Sequence, residues 1–423
     1  MRTALCAAAL VAAAIASEAA AGPLVDRPII IAHRGASGYL PEHTVEAYRL
    51  GIRQGADFIE PDLFLTRDRR LVALHDDTLN ATTNIEEVAA AKGWTDRARI
   101  VGGRRLYYVF DFDLAEIRQL TARSRGTPGY SQPGNGFYTG DEPFKVATFT
   151  EVLEIAHGHY RETGRLVGVY PELKFTQALA PAAGLAYLTA MADALLAELA
   201  DPRWDGLFDR REAVFIQSFI PAALQYLRPR TALPLVALTF TLPNGAGFPP
   251  VPTCPTTPEA ARALRAFADG IGVNAPAASE ACIRTAQEAG LLVHVYTLTD
   301  DPGSYRLFFG RGVDGVFSNH PDSRRAGPRR ALSRARARRC RPVRACDPEP
   351  LRPASGHGLT RHVIRRADAG RAGAPTVVRR AKRHRRAPRG RRAGSRKLRS
   401  ATARSDRARS RPGSARAPAR ARR

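Results

Sequence analysis

Three short stretches hold residues whose types and spacing suit chemistry on a charged substrate. The first reads His33-Arg34-Gly35-Ala36-Ser37-Gly38-Tyr39-Leu40-Pro41-Glu42-His43-Thr44 and begins at the end of an apolar run. Arg34 can fork two hydrogen bonds onto a phosphate, and Gly35 lets a ligand approach the backbone. The second is Glu60-Pro61-Asp62. Residues i and i+2 of a strand share one face, so the two carboxylates stand side by side and need a proton or a cation between them. Oxygen-only donors favour Ca2+ or Mg2+ over zinc. The third, His75-Asp76-Asp77, supplies a second imidazole. Further along, Glu172 and Lys174 again share a strand face, adding a third carboxylate for the metal and a second cation for phosphate. Singly, each has a bland reading as a satisfied structural histidine or a solvated strand end. Together they supply a metal site, two acid/base groups and two phosphate-seeking cations.

The elements that must position these groups follow from the apolar pattern. Runs rich in β-branched or apolar residues occur at 29–33, 57–65, 71–75, 166–174, 214–218, 235–240, 270–273, 291–297 and 313–318. Helix-like segments, such as 44–54, separate most of them, which predicts β-α units on a parallel sheet. A continuous apolar strand such as Ile-Ile-Ile-Ala-His suits a sheet buried on both faces. The run at 71–75 follows its predecessor too closely for a parallel crossover and reads as the return arm of a hairpin. Eight strands remain, as a (β/α)8 barrel requires, and barrel enzymes place their catalysts at strand C-terminal ends. Residues 81–145 fit the alternation poorly and are turn-rich, with Gly126-Thr127-Pro128-Gly129 and Pro133-Gly134-Asn135-Gly136. They read as an insertion capping one barrel face. Its one ordered-looking piece is 107–120, where Leu114, Ile117 and Leu120 have helical spacing.

Composition frames this core. The chain has 423 residues, 44% of them hydrophobic, which excludes wholesale disorder. Its net charge of +25 is unevenly spread: residues 324–423 carry 35 Lys+Arg against four acids, leaving 1–323 mildly acidic at −6. Arg2, an apolar run at 4–15 and Ala19-Ala20-Ala21 form a signal peptide over 1–21, with Gly22 as mature start. An uncleaved anchor is the alternative, but Glu18 interrupts the run short of the roughly 20 apolar residues a membrane span needs. No later stretch reads as long or apolar enough to cross a bilayer. The expectation is an exported protein, periplasmic or secreted. In an oxidising compartment Cys254 and Cys282 could bridge or remain as two thiols. The remaining segment, 323–423, is Arg-, Ala-, Pro-, Ser- and Gly-rich and is expected to be disordered. It reads as an arm making nonspecific contact with anionic surfaces, as a solvated tail without a role, or as a translation artefact of a GC-rich gene; no specific nucleic-acid module accompanies it.

Five ordered motifs carry a family resemblance. The segment from His33 to Thr44, Glu60-Pro61-Asp62, Leu71-Val72-Ala73-Leu74-His75-Asp76, Val169-Tyr170-Pro171-Glu172-Leu173-Lys174 and the closing Gly312-Val313-Asp314-Gly315-Val316-Phe317-Ser318-Asn319-His320-Pro321-Asp322 resemble the glycerophosphodiester phosphodiesterase family, in particular its exported bacterial branch. The resemblance spans about 29–322. It implies a (β/α)8 barrel over 22–322 that hydrolyses glycerophosphodiesters to glycerol 3-phosphate and an alcohol with a bound divalent cation, Ca2+ ahead of Mg2+. By position it implies His33 and His75 as the acid/base pair, Glu60, Asp62 and Glu172 as metal ligands, and Arg34 and Lys174 as phosphate-binding cations. Glu42 is expected to orient Arg34, and Gln217 and Tyr296 to face the substrate. Which histidine is acid and which base stays open, as do the headgroup and the oligomeric state. Two departures stand out: His43 where Asn is common, and Ser318-Asn319-His320-Pro321-Asp322 where Thr-Asp-Phe-Pro-Asp is more frequent. A lipid-headgroup phosphodiesterase and a non-catalytic polyanion binder are the competing readings.

Overall fold

The computed structural model describes residues 27–240 and 251–326. The signal segment 1–21 lies outside these residues, as does the tail beyond a 3-10 turn at Pro321–Ala326. Strand β1 (Ile29–His33) leads to helix α1 (Val45–Arg53), whose N-cap Thr44 accepts the Ala47 N–H. β2 (Phe58–Glu60) and β3 (Asp62–Leu65) are one strand divided at Pro61, which has no N–H for the ladder. β4 (Leu71–Ala73) returns antiparallel to β3, the hairpin read from the short turn. The inserted region holds α2 (Ile85–Lys92), the hairpin β5 (Arg99–Val101) and β6 (Arg104–Leu106), and the one-turn α3 (Leu114–Ile117).

The rest is the alternation itself. Helix α4 (Phe149–Thr163) starts at a reciprocal Thr148–Glu151 capping box and ends at left-handed Gly164. β7 (Gly168–Val169) and β8 (Glu172–Leu173) are a second divided strand, followed by α5 (Pro181–Leu199). Then come β9 (Ile216–Ser218), α6 (Pro221–Leu227), β10 (Leu235–Thr239), α7 (Pro258–Arg265), β11 (Gly270–Asn274), α8 (Glu280–Glu288), β12 (Leu292–Leu298), α9 (Pro302–Gly310) and β13 (Gly315–Ser318). Parallel pairing runs without a gap from β1 through the two divided strands to β9, on to β13, and back to β1. The ring is the expected eight-stranded parallel barrel.

Strand parity assigns the two sides of this ring. Ile29, Ile31, Phe58, Tyr170, Phe215, Val236 and Phe317 form one apolar cluster inside the barrel. Their neighbours Ile30, Ala32, Ile59, Val169 and Ile216 face out into the cluster shared with the helices. The inward set therefore continues, two residues on, to His33, Glu60, Glu172, Gln217 and Asn319 at the upper rim.

Three expectations need correction. The insertion is more ordered than one segment, because Leu79, Ile85, Val109, Phe112, Ile117 and Leu120 bury themselves against Phe64, Val72 and Leu74 of the β3–β4 hairpin. Most of it thus covers the hairpin rather than a barrel face, and only its later part reaches the mouth. The helical spacing at 107–120 gives just a 3-10 turn at Val109–Asp111 and α3, since Asp113 starts a new cap there. Finally, α5 is long and apolar enough to cross a membrane by length and composition. Its Leu188, Met191, Leu195 and Leu199 are instead buried in the barrel's outer core. The structure joins Cys254 to Cys282 in a disulfide.

Candidate active site

The rim begins with a strained turn. After His33 the backbone turns left-handed at Arg34 (φ +59°) and Gly35 (φ +83°). A Cβ on Gly35 would lie 2.6 Å from the Ala47 carbonyl carbon, so only glycine lets α1 pack this close. The turn aims the Arg34 N–H at Glu60 Oε2, 2.7 Å away. His43 is also left-handed (φ +60°), a conformation that asparagine and histidine tolerate better than most residues. That explains how either residue can occupy this position. His43 Nε2 lies 2.9 Å from Asp62 Oδ2, and its Nδ1 lies 2.7 Å from the Tyr48 hydroxyl.

Ladder register then gathers the carboxylates. Asp62 stands opposite Glu172, and Glu172 opposite Gln217, on three neighbouring strands. Glu60 sits two residues before Asp62, opposite His33. Ligand oxygens of Glu60, Asp62 and Glu172 lie within 4.8 Å of one another, and all three residues are buried. Lys174 Nζ is 3.0 Å from Glu172 Oε1 and 3.8 Å from Asp62 Oδ1. Gln217 donates its Nε2 to Glu60 Oε1 at 3.1 Å.

Three carboxylates with so few cations cannot all be comfortable as anions. Burial and the neighbouring Asp62 and Glu172 push the Glu60 carboxyl well above its usual range. Burial likewise pushes Glu172 up to about 8, although Lys174 works against the rise. Burial also works to raise Asp62, but Lys174, the His43 hydrogen bond and Arg34 hold it well below the usual carboxylate range. Asp62 Oδ1 and Gln217 Oε1 are buried without a hydrogen-bond partner among the described residues. An all-oxygen donor set with unsatisfied lone pairs and frustrated anions fits a hard divalent cation.

Both imidazoles are held at Nδ1. His33 Nδ1 is 2.7 Å from Asn319 Oδ1, while Asn319 Nδ2 donates to the Gly129 carbonyl at 2.7 Å. Because the amide nitrogen is committed to Gly129, the oxygen faces the ring. His33 therefore carries its proton on Nδ1 and leaves Nε2 bare. His75 follows Leu74, whose N–H donates to the Asp62 carbonyl, and its Nδ1 is 2.8 Å from Asp76 Oδ1. Burial and Arg34 hold His33 well below the usual imidazole range. His75, with its side chain a third exposed, is pushed down to about 4 by desolvation and then by Lys174.

His33, Arg34, Glu60, His75, Glu172, Lys174, Gln217 and Tyr296 all line one cavity of about 360 Å³, together with the aromatic rings of Phe219 and Phe240. Asp62 and Glu42 are buried and do not line it, but both pair with Arg34, which does. Glu42 accepts from Arg34 Nη1 at 3.1 Å. Tyr296 donates its hydroxyl to the Thr239 carbonyl, so that proton is not available to a ligand.

Five contributors escaped sequence reasoning: His43, Asp76, Arg125, Tyr130 and Asn319. His43 and Asn319 were visible as departures from the commoner motifs, and Asp76 as the neighbour of His75. Arg125 and Tyr130 lie in the turn-rich insertion, where no periodicity points to a site.

Comparison with known proteins gives this geometry a context. Residues 33–323 match the model of the glycerophosphoryl diester phosphodiesterase family. A glycerophosphodiester phosphodiesterase of Bacillus subtilis (strain 168) is 31% identical over 313 residues, covering 72% of this chain and 89% of that protein. Two solved structures share the fold. One, named for a glycerophosphoryl diester phosphodiesterase from Silicibacter pomeroyi DSS-3, has a TM-score of 0.54 at 23% identity and covers 71% of this chain and 94% of its own. The other, an Oleispira antarctica phosphodiesterase in complex with the product sn-glycerol-3-phosphate, has a TM-score of 0.51 at 21% identity and covers 71% and 96%.

Proposed function

This chain belongs to the glycerophosphoryl diester phosphodiesterase family, and from that premise we propose that its cavity hydrolyses a glycerophosphodiester to glycerol 3-phosphate and an alcohol. The reading rests on one observation: two Nδ1-anchored imidazoles, two cations and a buried carboxylate triad converge on one cavity. Glu60, Asp62 and Glu172 would hold a divalent cation, Ca2+ in preference to Mg2+. When bound, such a cation supplies charge that binds a phosphate oxygen and offsets the negative charge that grows during attack.

The chain's own groups carry the remaining steps. Arg34 and Lys174 hold the phosphate and stabilise the same growing charge. Arg34 is held in place by the buried Glu42. One imidazole takes the proton from the attacking hydroxyl, which is that of water or the substrate's own glycerol hydroxyl; the latter route gives a cyclic phosphate that water then opens, with the two imidazoles exchanging roles. The other gives a proton to the departing alkoxide, so the pair ends each turnover with protons balanced. His33 and His75 are suited to this because each is fixed at Nδ1 and lines the cavity: the one that acts as base enters neutral with Nε2 bare, and the one that acts as acid enters as the imidazolium with its second proton on Nε2. Export is part of the proposal: the N-terminal signal pattern delivers the chain to an oxidising compartment, and the Cys254–Cys282 disulfide supports that reading.

The test incubates the purified chain with glycerophosphocholine and Ca2+, Mg2+ or EDTA, and follows glycerol 3-phosphate with a coupled dehydrogenase. Cation-dependent release that disappears in Glu60→Ala is the expected result. A folded protein that releases nothing from any of several headgroups with either cation overturns the proposal.

A further inference from the structure

The part of the insertion that reaches the mouth contacts both imidazoles through single intermediaries. Arg125 forks onto Glu42, with Nε to Oε2 at 2.9 Å and Nη2 to Oε1 at 2.7 Å. Its remaining nitrogen, Nη1, donates to Asp76 Oδ2 at 2.8 Å. The other Asp76 oxygen holds His75 Nδ1, and Glu42 Oε1 also receives Arg34. One guanidinium thus ties together two carboxylates, each bonded in turn to a site residue. Four residues on, the Gly129 carbonyl fixes the Asn319 amide that sets the His33 tautomer. Gly129 is left-handed (φ +85°), and a Cβ there would sit 3.1 Å from Thr299 Cγ2. Between these anchors the Tyr130 ring covers Arg34 at 5.4 Å and Arg125 at 5.9 Å. The Ser131 N–H bonds to the Ser37 carbonyl at 2.8 Å and fastens the segment to the turn after β1.

We propose that Arg125 is a positioning residue for the reaction, and that the segment from Arg125 to Ser131 is a strap fixing both imidazoles and Arg34 from outside the barrel. Neutralising Glu42 alone would not need this geometry, because Arg34 already does so. The distinguishing feature is the third donor, which spans to Asp76 and removes the freedom of its second oxygen. Asp76 can then accept from His75 in only one orientation. Lysine cannot replace this arrangement, since a single ammonium has no planar fork to hold two carboxylates. Outer partners that orient an imidazole typically contribute about 10–100-fold to activity or affinity.

The inference rests on the hydrolytic reading above, and its test separates the two. Full-length Arg125→Met, Arg125→Lys, Asp76→Asn and the Arg125→Met/Asp76→Asn double variant are assayed with glycerophosphocholine and Ca2+. Arg125→Met is expected to lower kcat about 10–100-fold with KM changed less than threefold and thermal unfolding little altered. Arg125→Lys should recover only a small part of the loss. The double variant should lose less than the product of the two single losses, because both substitutions act on His75 through Asp76 while only Arg125→Met also frees Glu42. Independently of turnover, ring 15N spectra should show a single fixed His75 tautomer in the parent chain and an averaged one in Arg125→Met. An inactive parent chain with the fixed tautomer retained would sink the hydrolytic reading and spare the strap. Wild-type kcat in Arg125→Met, additive losses in the double variant, or an unchanged His75 spectrum overturns the strap. If Arg125→Met does not fold, Arg125→Lys and Asp76→Asn carry the same comparison.

Discussion

Replacing Glu172 with glutamine should stabilise the protein without metal and destabilise it with metal. Burial, opposed in part by Lys174, puts the Glu172 pKa at about 8 in the metal-free fold, against an ordinary 4.5. The folded state therefore keeps a proton that the unfolded chain has released. For an acid shifted upward, folding stability is lost progressively as pH rises from the ordinary value to the folded one, and the loss is constant above that. At about 1.4 kcal/mol per pH unit, the metal-free fold at pH 7 carries a penalty of about 3 kcal/mol from this group. The figure already includes Lys174, which acts to lower the pKa. Glutamine mimics the protonated carboxyl in both states and removes the penalty. In EDTA at pH 7, Glu172→Gln should melt roughly 5–10 °C higher than the parent. The gap should shrink toward pH 5 and widen toward pH 8. Saturating Ca2+ should reverse the order, because the ionised carboxylate then has the partner the triad lacks. Thermal melts across pH, with and without cation, are the assay. A variant that melts no higher than the parent in EDTA, or a gap indifferent to pH, would refute the reasoning about buried like charges.

Other outcomes follow from single features of the site. His33→Ala and His75→Ala should each reduce kcat by about 100-fold or more while the fold survives; near-parental turnover in either removes that residue from the acid/base pair. Gly35→Ala forces a side chain into left-handed backbone and onto the Ala47 backbone. The strain of about 1–2 kcal/mol for the conformation alone should displace Arg34 and cost more than tenfold in kcat, read by steady-state kinetics beside a melt. Reducing the Cys254–Cys282 bridge, whose partners are 28 residues apart, should cost about 3–4 kcal/mol by loop entropy, seen as a lower Tm in dithiothreitol that Cys254→Ala abolishes.

How much of this was legible before the structure depends on the kind of constraint involved. The barrel was legible because apolar runs alternating with helix-like segments are a local property, and its rim follows parity: the inward side of Ile29 and Ile31 extends unbroken to His33, and that of Phe58 to Glu60 and Asp62. Fixed spacing on one strand, with parallel register between neighbours, is enough to bring Asp62, Glu172 and Gln217 into one row. Cys254 and Cys282 were left undecided because a 28-residue separation constrains no distance. The strap was illegible for a deeper reason. Arg125 meets Glu42 across 83 positions and Asp76 across 49, with no strand or helix to relate them. Gly126, Gly129, Gly134 and Gly136 signal turns, yet turn chemistry states only that the chain bends, not what it bends onto. Asn319 lies between these cases. Its parity with Phe317 places it at the rim beside His33, but its amide orientation depends on Gly129, so the His33 tautomer is set by a region whose path the sequence does not encode locally. In this fold the strands bring the reacting groups together, and the irregular insertion holds the orientation in which they can react.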